Sequence, residues 1–104
     1  MIKVDIGYLQ DEYTFILVSG HSNYDTKGKD LICAAVSSIV IGCLNNLKKI
    51  DSYDYTVKDG YVEVDFQNNI DLHDHTVIET VETQLLTIQD QYPDFIKVSR
   101  IRKE

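Results

Sequence analysis

Residues 13–38 read YTFILVSGHSNYDTKGKDLICAAVSS, and the character of the chain changes three times within them. Tyr13 to Ser19 is dense in aromatic and β-branched residues, the composition of a strand. Gly20-His21 marks the rim of a sheet, where side chains become available for chemistry. Residues 22–29 are small and polar apart from Tyr24, with Gly28 near their end, and read as a surface connection. Asp30 has the character of an N-cap, and the apolar run behind it predicts a first helix from Leu31 to about Ile50. The apolar residues of that helix spread beyond one stripe. A sheet can cover one side, and a second helix or another subunit must cover the rest.

Working outward, residues 2–9 alternate, with Ile2, Val4, Ile6 and Tyr8 on one side and Lys3, Asp5 and Gly7 on the other, which predicts a half-buried strand. Gln10-Asp11-Glu12 supplies a turn without glycine or asparagine. Downstream, Tyr53 to Val57 and Tyr61 to Phe66 flank Lys58-Asp59-Gly60, whose Asp-Gly pair is a strong hairpin signal. A second helix starts at Asp71 or Asp74 and runs to about Gln91, with Ile78, Val81, Leu85, Ile88 and Tyr92 as its apolar stripe. Pro93 ends it, and Phe95 to Ile101 forms a short last strand. The predicted order is β-β-α-β-β-α-β, an α+β fold in which two helices pack on a mostly antiparallel sheet. We expect one domain over residues 1–104, with no repeat or linker.

The composition excludes several functions. A net charge of −7 argues against nucleic-acid binding, which needs clustered Lys and Arg, and favours a basic partner. The longest apolar stretch, Leu31 to Leu47, is broken by Ser37, Ser38, Gly42, Asn45 and Asn46, so it reads as a buried helix and not a membrane span. No secretory signal is evident, and two cysteines in such a chain suggest a reducing, cytoplasmic setting. Cys33 and Cys43 share a helix at a separation of about 15 Å. That is beyond the roughly 7 Å limit for a disulfide.

Cys33 falls in the first turn of the predicted helix, near unpaired N–H groups and the positive end of the dipole, which favour a thiolate. The same N–H groups suit an oxyanion. The competing reading is a small buried hydrophobe, which Cys43 fits better. His21 is the candidate general base, and the eleven residues 22–32 permit contact with Cys33 without requiring it. Asp30 either caps the helix or orients His21, while Ser37, one turn beyond Cys33, lies on the same helix face. In Asp71-Leu72-His73-Asp74-His75, two histidines spaced by two diverge on a helix, so the cluster reads as a helix start and not a metal site. No cofactor is implied.

The run Gly20-His21-x-x-Tyr24-x-x-x-Gly28-x-Asp30-Leu31-Ile32-Cys33-Ala34-Ala35-Val36-Ser37 resembles the signature of the ribosomal-processing cysteine proteases called Prp. A weaker likeness continues through Leu85-Leu86 and Tyr92-Pro93 and covers nearly the whole chain. The resemblance implies a homodimeric α+β endopeptidase of the bacterial cytoplasm. Such an enzyme removes a short N-terminal extension from a large-subunit ribosomal protein, cutting after an aromatic residue. It further implies Cys33 as nucleophile, His21 as general base, and Gly20, Asp30 and Ser37 as supporting positions. The loop between His21 and Asp30 would be a mobile wall that orders around substrate. Ser22 and Asn23 depart from the family pattern, where small residues such as Ala and Gly are expected. Two rivals stand beside this reading: a non-catalytic ribosome-associated binding module, and a thiol redox protein, which the lack of a resolving cysteine disfavours.

Overall fold

The computed structural model describes residues 1–26 and 29–103; Gly28 of the motif lies outside the described residues. The first strands, β1 (Ile2–Leu9) and β2 (Glu12–Ser19), form an antiparallel hairpin. Gln10 supplies its turn by adopting φ 50°, so the left-handed conformation is reached without glycine. The second hairpin, β3 (Asp54–Lys58) and β4 (Tyr61–Asp65), turns at Gly60 with φ 70°. β4 pairs antiparallel with β2, and the last strand, β5 (Ile96–Arg102), pairs parallel with β1. The five-stranded sheet therefore runs β3-β4-β2-β1-β5, antiparallel except at one edge. A parallel pairing cannot be closed by a tight turn, and the second helix supplies the crossover into β5.

The two helices, α1 (Leu31–Asn46) and α2 (Leu72–Gln91), complete the predicted order β-β-α-β-β-α-β. Alternation along β1 buries Ile2, Val4 and Ile6 while Lys3 stays exposed, which presents one apolar face to the helices. Ile32, Val36, Val40 and Cys43 of α1 and Ile78, Val81 and Leu85 of α2 meet that face in a single core with Ile16, Val64 and Phe66. Of the predicted α2 stripe, Ile88 is partly buried and Tyr92 lies outside the core. Leu31 and Ile41 remain exposed, so α2 and the sheet leave part of the apolar surface of α1 uncovered.

The first helix stops four residues before the predicted Ile50, at Asn46. Leu47 turns to extended backbone, and the amides of Lys48 and Lys49 donate to the carboxylate of Asp74 at 2.8 and 3.0 Å. A buried carboxylate that takes two amides competes directly with the helical carbonyls for them, and Asn45-Asn46 are weak helix formers. Ile50–Ser52 forms a separate 3₁₀ turn. Asp71, the first of the two candidates, caps α2 by accepting from the amides of His73 and Asp74. The strand limits differ from those predicted by at most one residue.

Candidate active site

Gly20 closes β2 with φ 93°, and a Cβ there would stand 2.5 Å from the Met1 carbonyl oxygen, so only glycine fits both the conformation and the space. Its amide donates to the Gly60 carbonyl at 2.9 Å, tying the rim of β2 to the β3–β4 turn. The chain then delivers His21, exposed, against that turn: a Cβ on Gly60 would lie 2.8 Å from His21 Nε2. The imidazole rests where only glycine leaves room.

Asp30 organises the other side. Its Oδ1 accepts from the Cys33 amide at 2.9 Å, and its carbonyl accepts from the Ala34 amide at 3.0 Å. Its Oδ2 accepts from the Tyr24 and Asp25 amides at 3.0 and 3.3 Å and from the Ser22 hydroxyl. Burial by itself would raise the Asp30 carboxyl, but bonds from Cys33, Ser22, Asp25 and Tyr24 together outweigh it and hold the group at about 2. Asp30 therefore caps α1 and gathers the loop at once. Among the described residues no hydrogen bond joins it to His21.

Cys33 follows as the third helical residue, a free and partly exposed thiol. Its Sγ receives the Ser22 amide at 3.4 Å and lies 3.2 Å from Ser22 Oγ; no described hydrogen bond links it to His21. With the Cys33 and Ala34 amides held by Asp30, the first-turn amides left without a bond among the described residues are those of Leu31 and Ile32. Tyr24 anchors the loop from outside, edge-on to Tyr92 at 5.9 Å and to Phe95 at 5.2 Å between ring centroids.

His21, Cys33, Asp30, Ser37 and Gly20 all line one open cleft of about 720 Å³. Its walls are apolar, with Val18, Val36, Val57 and Val62 among them, and Lys58-Asp59 adds charge from the β3–β4 turn. Ser37 is exposed on the cleft face of α1. Cys43 is buried in the core, where burial and then the charge of Asp74 push its thiol up to about 12. Two contributors were not legible as such in the chain. Ser22 reads as a loop residue but sits 3% exposed between Asp30 and Cys33. Gly60 reads as a turn residue but also makes the seat of His21.

The Asp71, His73 and Asp74 ligand atoms approach within 4.8 Å of one another. Both carboxylates are already committed: Asp71 to helix amides, and Asp74 to Lys48, Lys49, the Tyr53 hydroxyl at 2.8 Å and His73 Nδ1 at 2.9 Å. His75 stands apart on α2, packed at a tilt against the Tyr13 ring. The cluster shapes a helix start.

A free thiol at a helix N-terminus, in an open cleft that also holds a histidine, is the arrangement of thiol-dependent enzymes. The sequence model of the family described as cysteine protease Prp matches residues 1–97, and the chain belongs to that family. The ribosomal processing cysteine protease Prp of Mycoplasma pneumoniae is 32% identical over 108 residues, covering 100% of this chain and 99% of the relative. That of Bacillus subtilis is 29% identical over 103 residues, covering 91% and 88%. The fold also matches the crystal structure of the essential ribosomal processing protease Prp from S. aureus in complex with a covalently linked product peptide. That match has a TM-score of 0.82 at 26% identity, over 96% of this chain and 99% of the other.

Proposed function

We propose that this protein is a cysteine endopeptidase that removes a short N-terminal extension from a bacterial large-subunit ribosomal protein, cutting after an aromatic residue. The observation that carries the reading is the free Cys33 thiol at the start of α1, in the same cleft as His21. In the mechanism, His21 takes the thiol proton and the thiolate attacks the peptide carbonyl, forming a carbon–sulfur bond. The Leu31 and Ile32 amides, which make no bond among the described residues, are the donors available to the oxyanion. His21 returns the proton to the leaving amine, and water then hydrolyses the acyl-enzyme, releasing the new carboxyl end. His21 lies by Gly60 and makes no described hydrogen bond to Cys33, so proton transfer requires the imidazole to reach the thiol.

The apolar walls support an apolar side chain before the cut, and the net charge of −7 supports a basic, ribosomal substrate through long-range steering. The exposed Leu31 and Ile41 of α1 support the homodimer that the resemblance implies. Among the described residues no helix is long and apolar enough to cross a membrane. The test is cleavage of a peptide spanning the extension junction. Unmodified protein should cut it, Cys33→Ala should not, and Cys43→Ala should cut at the normal rate. Equal action of unmodified protein and Cys33→Ala, or none by either, would leave the binding module as the better account.

A further inference from the structure

We propose that Ser22 is a positioning residue that keeps the Cys33 thiol protonated in the peptide-free protein, through a hydrogen-bond chain running from Cys33 Sγ to Ser22 Oγ to Asp30 Oδ2. Ser22 Oγ touches both ends: it bonds Asp30 Oδ2 and lies 3.2 Å from Cys33 Sγ, at a residue only 3% exposed. A hydroxyl has one hydrogen and two lone pairs, whereas an ionised carboxylate only accepts. Asp30, capped by four donors, is ionised at neutral pH and claims the Ser22 hydrogen. One lone pair of Ser22 Oγ takes the Tyr24 amide at 3.3 Å, the other faces sulfur, and the thiol S–H is the donor of that contact. A thiolate in the same place would face that lone pair with a carboxylate behind it.

Among the described residues, the other charged or titratable groups that line the cleft are Asp25 and His21 from the loop, Lys58 and Asp59 around the β3–β4 turn and Tyr61 from β4. None of these described groups is hydrogen-bonded to the sulfur. The opposing influences are the Ser22 amide at 3.4 Å and the α1 dipole, both of which favour thiolate. When His21 comes to the sulfur, the S–H changes partner from Ser22 to the imidazole, and no other bond needs to break at Cys33.

The inference rests on Cys33 being the reactive thiol, and its test uses no peptide, so its failure and that of the protease reading are told apart. Iodoacetamide alkylation of Cys33 in the full chain is followed by mass spectrometry as a function of pH. Ser22→Ala should move the midpoint of the curve to lower pH and speed alkylation at pH 7 by about fivefold, the scale of one neutral hydrogen bond. Ser22→Thr, which keeps the hydroxyl, should restore the original midpoint. A loosened loop would raise the rate at every pH and leave the midpoint in place; that result, or a midpoint that stays or rises, overturns the proposal. A measurement that needs no change at Ser22 uses Cys43→Ala protein, whose one thiol is Cys33. Its S–H stretch should lie below the frequency of a free thiol, and an unshifted or absent band refutes the chain equally.

Discussion

Asp30 is the residue on which the cleft turns. One carboxylate accepts the first-turn amide of Cys33, two loop amides and the Ser22 hydroxyl, so the helix start and the loop are held by the same two oxygens. Its carboxyl lies at about 2 against an ordinary 3.8, and a depressed acid stabilises the fold above the ordinary value. That contribution is lost as the pH falls from about 3.8 toward 2. Urea midpoints measured across this window should drop on acidification, and Asp30→Asn should flatten the decline. The two thiols give a second contrast: Cys33 is accessible, whereas Cys43 is buried and pushed up to about 12. At pH 7.5 in the folded protein iodoacetamide should label Cys33 alone, and both thiols once urea is added, as read by peptide mapping. Gly60→Ala combines a left-handed φ of 70° with a methyl group 2.8 Å from His21 Nε2. Cleavage should fall at least tenfold, chiefly in kcat, because the imidazole is displaced from its seat.

At the level of elements, the decisive junction lies between the end of α1 and the start of α2. Asp74 is fully buried, and burial alone would raise its carboxyl. The bonds from His73, Lys48, Tyr53 and Lys49 together hold it lowered. Its carboxylate thereby stops α1 at Asn46 and holds the hydroxyl of buried Tyr53, one residue before β3 begins. Asp74→Ala leaves two amides and a phenol without their acceptor and should cost about 3 kcal/mol in urea unfolding. Asp74→Asn, which keeps one acceptor oxygen, should cost less. The loop of the cleft depends on a different junction, the edge-on contact of Tyr24 with Tyr92 and Phe95 at the end of α2. Tyr24→Ala should loosen residues 22–26 and raise KM more than it lowers kcat, while Tyr24→Phe, which keeps the ring, should behave as the unmodified protein.

For the whole molecule, the elements and their order follow from the chain because each has a local cause. Alternation marks β1 and β4, Asp-Gly marks the second hairpin, Asp30 and Asp71 cap the helices, and Pro93 ends α2. These signals act over a few residues, so they survive without knowledge of the fold. The candidate site was legible in part for the same reason: the spacing from Gly20-His21 to Asp30 and Cys33 lies within one short stretch. What the tertiary structure decided involves partners far apart in sequence. Asp74 shortens α1 from 25 or more residues away, β5 aligns parallel beside β1, and Gly60 meets His21 from another hairpin. Ser22 is the nearest case, because only when the loop folds back does its hydroxyl fall between a carboxylate and a thiol eleven residues on. Local propensity fixes each element from its own residues, whereas a hydrogen bond across the fold depends on a distance that no local pattern encodes.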